Sequence, residues 1–89
     1  MSIDIGAERT TDIDRLTNQL AIEIEELDTE ILAAVTRRAE LARLMGRART
    51  ASGGTRLVHH HDIAVVERYG SLGRDGANLA TLLLRLGRG

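Results

Sequence analysis

Two arginines on one predicted helix are the residues best placed to do chemistry. Arg38 and Arg49 are eleven residues apart, which is about three helical turns, so they share one face about 16 Å apart along the axis. Their long side chains can converge on a small molecule between them. A guanidinium grips a carboxylate through two parallel hydrogen bonds. The pair therefore predicts a pocket for a small dianion.

The two arginines also have a structural alternative. A long cationic side chain beside an apolar stripe often extends into solvent at the rim of the core, or pairs with an internal carboxylate such as Glu40. However, two arginines on the same face are less easily explained in this way. A guanidinium that leaves water needs an anionic partner, because its desolvation is unfavourable.

Three consecutive histidines, His59, His60 and His61, precede Asp62 at the start of a second helix. Neighbouring residues on a helix point about 100° apart, so the three imidazoles cannot all bind one ion there, although an irregular turn would allow two. A solvated helix start is the structural alternative, which we favour for His60. Asp62 in the first turn would also stabilise the helix dipole.

The first helix must position both arginines. Its apolar residues are spaced alternately three and four apart, which is typical of one helical stripe. They are Ile13, Leu16, Leu20, Ile24, Leu27, Ile31, Ala34, Leu41 and Met45. Thr10, Thr11 or Asp12 can cap its start, and Gly53 and Gly54 predict its end. Residues 1–11 are expected to form a flexible leader, and residues 12–89 one helical domain.

The length of this helix predicts a second copy of the chain. Nearly forty residues span about 55 Å, far more than the radius of gyration of about 12 Å expected for so small a domain. Only two short helices remain, at about 60–70 and at 76–87, the second with Asp75 as a candidate cap. They cannot cover the whole stripe, so we expect an all-α chain of three helices in an intertwined homodimer.

Composition excludes several classes of function. The chain has no cysteine, and so no disulfide or thiolate metal site. A net charge of −1 and a single aromatic residue, Tyr69, argue against binding nucleic acid. No apolar run is long enough to span a membrane, and the acidic beginning does not resemble a secretory signal. We expect a cytoplasmic protein without a metal or cofactor.

Several segments together resemble one known family. "LDTEILAAVTRRAELARLMGRAR", "GGTRLV" and "VVERY" are similar to the all-helical chorismate mutases. "ASGGTRLVH" and the ending "LLLRLGRG" most resemble the short intracellular actinobacterial members of mycobacterial type. The resemblance covers residues 12–89. It implies a homodimer whose pockets are lined by both chains, and a cofactor-free rearrangement of the dicarboxylate chorismate to prephenate.

The resemblance also implies roles for individual residues. Arg38 falls on an arginine that holds a substrate carboxylate, and Arg49 on the cation that contacts both the breaking ether oxygen and a carboxylate. His61 and Asp62 stand where the family has Arg-Glu. His61 would order the substrate, and Asp62 would accept its ring hydroxyl. The resemblance thus implies that the histidine segment forms one wall of an altered active site. Ala21 stands where the family has an arginine donated by the partner chain.

These departures predict reduced activity and leave alternatives open. Asp62 withdraws the carboxylate by one methylene, and a misplacement of about an ångström can lower a rate on the order of a hundredfold. The first hypothesis is a chorismate mutase, weak alone, which the resemblance implies is activated by DAHP synthase through the loop and the C-terminal tail. The alternatives are a catalytically impaired regulatory partner of DAHP synthase, and a mutase or lyase for a related chorismate derivative.

Overall fold

The computed structural model describes residues 4–53 and 55–88, with side chains placed for residues 10–53 and 60–88. This part of the chain folds into three α-helices without a strand, which confirms the all-α class. Helix α1 is Asp4–Ser52, α2 is Thr55–Tyr69 and α3 is Arg74–Arg88, with a 3₁₀ turn at Gly70–Leu72 before α3. Within the described residues, no helix contains an apolar segment of the length needed to span a membrane.

Helix boundaries differ from the predicted ones mainly at their starts. Helix α1 begins at Asp4, not near residue 11. An apolar period reveals only the part of a helix that carries an apolar stripe. A helix can extend beyond that stripe where its residues favour helix formation. Helix α2 begins at Thr55, not near residue 60. Asp75 lies in the first turn of α3 and is not its cap, since the positive φ of 75° at Gly73 turns the chain one residue earlier. The division into leader and domain stays a prediction.

The end of α1 was predicted correctly. Gly53 has a φ of 73°, in the left-handed region that favours glycine, and its N–H donates to the carbonyl of Thr50 at 3.2 Å. This is the usual way in which a glycine ends a helix.

The chain divides into two compact units, Met1–Ala33 and Ala34–Gly89. The first unit contains only the beginning of α1, and every described side chain in it is exposed. Its apolar stripe leaves between 48% and 62% of each side chain exposed. The stripe consists of Ile13, Leu16, Leu20, Ile24, Leu27 and Ile31. The predicted stripe therefore exists, and nothing within this unit covers it.

The second unit has a small core made of short side chains. Ala39, Val65, Ala80 and Leu83 are its buried apolar residues, one or two from each of α1, α2 and α3. The end of α3 packs closely on α1. A Cβ atom built on Gly87 would lie only 2.7 Å from the Cβ atom of Ala42, so only a glycine fits at this position. This contact brings the last turn of α3 against the part of α1 that carries the arginines.

Candidate functional site

An open cleft of about 830 Å³ lies in the second unit, between the end of α1 and parts of α2 and α3. All four residues predicted from the sequence as site residues line it. The lining residues are Arg38, Ala42, Arg43, Met45, Gly46, Arg47, Arg49, Thr50, Ala51, His61, Asp62, Leu84, Gly87 and Arg88. The helix geometry thus brings the two arginines, the histidine and the aspartate together, while their roles stay predictions.

Arg38 is half-buried and held at one side of the cleft. Its Nη1 donates to the carbonyl oxygen of Leu83 at 3.4 Å, which ties α1 to α3. A single long bond to a neutral carbonyl leaves most of the five N–H donors of a guanidinium available. Arg38 can therefore bind an anion from this position without losing its contact with α3.

Arg49 is also half-buried, about three turns further along the same face of α1. Its guanidinium makes no hydrogen bond or ion pair with any residue in the described part of the chain. The alternative partner suggested by the sequence, Glu40, pairs instead with Arg37 at 3.3 Å on the exposed side of the helix. Glu40 therefore neutralises neither Arg38 nor Arg49, and Arg49 has no anionic partner among the described residues.

His61 and Asp62 reach the cleft from α2, and both are half-buried. Asp62 Oδ2 accepts a hydrogen bond from Arg88 Nη2 at 2.8 Å. His60 is exposed, as expected for a solvated position, and the side chain of His59 lies outside the described residues. Among the described side chains, no group of three histidine, cysteine or acidic residues is arranged to hold a metal ion.

Positive charge dominates the cleft. Five arginines line it, and Asp62 is the one carboxylate among its lining residues. The C-terminal end of α3, where a helix carries partial negative charge, is met by Arg43, whose Nη2 donates to the carbonyl of Leu86 at 3.2 Å. The remaining guanidinium groups favour an anionic guest held by charge-assisted hydrogen bonds.

Arg88 and Gly46 are two of the lining residues that the sequence did not point to. No sequence pattern assigns a role to Arg88, because its position depends on the close contact of Gly87 with Ala42. Gly46 lies inside α1, where a glycine usually only weakens a helix, but here it lines the cleft with no atom within 4 Å of a Cβ built on it. It leaves open the space between the two arginines. Ala21 is an exposed residue of the first unit.

The chain is similar in sequence to intracellular chorismate mutases of mycobacteria. No family model matches the chain. It is 64% identical over 67 residues to the intracellular chorismate mutase of Mycobacterium tuberculosis, covering 75% of this chain and 64% of the relative. It is 56% identical over 73 residues to that of Mycolicibacterium smegmatis, covering 81% of this chain and 70% of the relative. The match thus spans slightly less than two thirds of the length of the M. tuberculosis protein.

A solved structure is similar over nearly the whole fold. It is a chain from the non-covalent complex of DAHP synthase and chorismate mutase of Corynebacterium glutamicum, with a bound transition state analog. The TM-score is 0.76 at 43% sequence identity, and the match covers 85% of this chain and 93% of that one.

Proposed function

The chain belongs to the family of intracellular chorismate mutases, and from this premise we propose that it converts chorismate to prephenate. The arginine-lined cleft carries the proposal. Arg38 and Arg49 line one space, and neither guanidinium is paired with a carboxylate in the described residues. Chorismate is a dicarboxylate, so its two negative charges match what this cleft lacks.

The reaction needs no group that the cleft would have to supply as a nucleophile. One ether C–O bond breaks and one C–C bond forms within the same molecule, and no proton or electron enters or leaves. Negative charge grows on the ether oxygen in the transition state. A preorganised guanidinium can stabilise that charge, and removal of such a donor commonly lowers kcat by about a hundredfold to a thousandfold.

Each site residue then has a distinct role. Arg38 holds one substrate carboxylate, while Arg49 contacts the ether oxygen and the second carboxylate. Asp62 accepts the ring hydroxyl, and His61 forms part of the wall that orders the ring. Holding the substrate in the reactive chair supplies the rest of the rate acceleration, through orientation rather than covalent chemistry.

We propose that the chain acts as a homodimer. The six stripe residues of the first unit are about half exposed. Burying them against a second copy stabilises the assembly by about 25 cal/mol for each Å² of apolar surface removed from water. In such a dimer the partner chain would complete each cleft. Position 21, where the resemblance places a donated arginine, holds Ala21, so one cation is missing there.

We expect low activity for the isolated protein. His61 is a weaker anion partner than an arginine, because an imidazole has two ring nitrogens where a guanidinium presents five N–H donors, and the shorter Asp62 reaches less far than a glutamate. The C. glutamicum structure holds a chorismate mutase together with DAHP synthase. We propose the same partner for this chain, and, following the names of the mycobacterial relatives, a place in the cytoplasm.

Consumption of chorismate by the purified protein, with and without the DAHP synthase of the same organism, tests the proposal. We expect loss of chorismate faster than the spontaneous reaction, and a further increase when DAHP synthase is added. No acceleration in either case would rule out a mutase. It would favour a regulatory homologue, for which the departures at Ala21, His61 and Asp62 are the supporting observations.

His61 and Asp62 stand where the family has Arg-Glu, next to the expected position of the ring hydroxyl. This difference is the reason to test related substrates. Isochorismate and aminodeoxychorismate differ from chorismate in the ring substituents that His61 and Asp62 would meet. Faster turnover of either one than of chorismate would identify the chain as a mutase or lyase for that derivative.

A further inference from the structure

An ion pair links the last turn of α3 to the cleft wall. Arg88 Nη2 lies 2.8 Å from Asp62 Oδ2, and the two side chains are 68% and 25% exposed respectively. Both residues line the cleft. An exposed pair of this kind contributes little to folding stability, typically about 0–1 kcal/mol, so its position at the site is of more interest than its strength.

The fold fixes the base of the Arg88 side chain. Gly87 approaches Ala42 so closely that an added Cβ atom would collide with it, and Arg43 Nη2 donates to the carbonyl of Leu86 at 3.2 Å. These contacts hold the two residues just before Arg88 against α1. Arg88 therefore projects toward α2 from an anchored turn.

Asp62 would present a problem to a dianionic substrate if it stood alone. It is the one carboxylate among the lining residues, and like charges repel in a partly buried site. A neighbouring guanidinium offsets that charge. The ion pair also restricts the Asp62 carboxylate, which is one methylene shorter than that of a glutamate.

We propose that Arg88 is a positioning residue for Asp62, an inference that rests on the proposed function. A carboxylate has about four lone-pair sites on its two oxygens. Arg88 occupies Oδ2 and leaves Oδ1 to accept the hydroxyl of the substrate ring. Arg88 thus determines how well the enzyme distinguishes a ring that carries this hydroxyl, without itself taking part in bond breaking.

A double-mutant cycle in the full-length protein tests this role. The variants are Arg88→Ala, Asp62→Asn and the double variant, together with Arg88→Lys. Arg85→Ala is the matched control, because Arg85 is an exposed arginine of the same helix that does not line the cleft. The measurements are kcat/KM for chorismate, the Kd of prephenate by calorimetry, and Tm. Prephenate retains the ring hydroxyl and both carboxylates.

We expect Arg88→Ala to lower kcat/KM and raise the Kd by about threefold to fivefold, with Tm unchanged. Arg88→Lys should recover part of the loss, and Arg85→Ala should have no effect. In the Asp62→Asn background, Arg88→Ala should change either quantity less than twofold, since the carboxylate it positions is gone.

Equal losses from Arg88→Ala in both backgrounds would overturn the proposal, as would no loss in the wild-type background or the same loss in the Arg85 control. Failure of the proposed function gives a different result. If the wild type binds prephenate but does not accelerate chorismate loss, the chain is not a mutase, and the Kd values still decide whether Arg88 acts through Asp62.

Discussion

Replacement of Arg49 by alanine separates a binding role from a structural one. Arg49 is half-buried at the cleft, yet its guanidinium has no hydrogen bond or ion pair within the described residues. Its removal therefore leaves no buried donor or acceptor without a partner. It also reduces repulsion among the cleft arginines. We expect the free energy of unfolding to change by less than about 0.5 kcal/mol.

The effect on catalysis should be far larger. If Arg49 stabilises charge on the ether oxygen, its loss removes a charge-assisted donor that acts mainly in the transition state. That change corresponds to a fall in kcat of about a hundredfold to a thousandfold, or about 2.7–4 kcal/mol. A large loss of activity together with unchanged stability is the expected signature of a residue whose partner is the substrate.

The assay pairs chorismate consumption with thermal and urea unfolding. Arg37→Ala is the matched control, because Arg37 lies on the same helix, is exposed, and pairs only with Glu40 in the described residues. This control should keep its activity and stability within about twofold and about 0.5 kcal/mol respectively. If Arg49→Ala retains activity comparable with Arg37→Ala, Arg49 is not the cation at the ether oxygen and the assigned mechanism is wrong.

Four further variants test other parts of the interpretation. His61→Arg together with Asp62→Glu should raise kcat/KM for chorismate by about tenfold or more, and an unchanged value in the same assay would contradict the alignment of α2 with the family. Ile24→Asp places a charge on the exposed stripe and should give a monomer in sedimentation experiments, with loss of turnover, whereas a persistent dimer would mean that the stripe is not the interface. Gly46→Ala should stabilise α1 by about 0.5–1 kcal/mol in unfolding experiments, because no atom lies within 4 Å of the added Cβ. Gly46→Leu should instead fill the cleft and lower kcat/KM by at least about tenfold, and full activity in that variant would place the substrate elsewhere.

Much of the fold follows from local sequence patterns. The alternating spacing of apolar residues predicts α1, because a stripe of that period can be buried only on one face of a helix. Gly53 predicts the end of α1 through its positive φ. The same periodicity placed Arg38 and Arg49 on one face, and both line the cleft. These features depend on residues close together in the chain.

The remaining features depend on packing between distant segments. Arg88 reaches Asp62 across 26 positions, and the packing of Leu86 and Gly87 on α1 determines where Arg88 points. A glycine or an arginine near the end of a helix gives no such information in the sequence alone. The role of Gly46 was missed for the same reason, since an absent side chain becomes useful only when its neighbours enclose a space.

Two unsatisfied features of the single chain lead to the same conclusion. The first unit carries an apolar stripe that its own residues leave about half exposed, and exposed apolar surface of this extent on a helix is typical of an interface. The second unit carries guanidinium groups with too few anions of its own among the described residues. The first feature requires a protein surface and the second a small anion, so they call for different partners. If the proposed dimer and the proposed dicarboxylate substrate are correct, the thermal stability of the chain should respond separately to dilution and to ligand. Dilution should lower Tm in the absence of ligand, and prephenate should raise Tm at a fixed protein concentration, by mass action in both cases. A Tm that is independent of protein concentration and of prephenate would show that neither partner is bound.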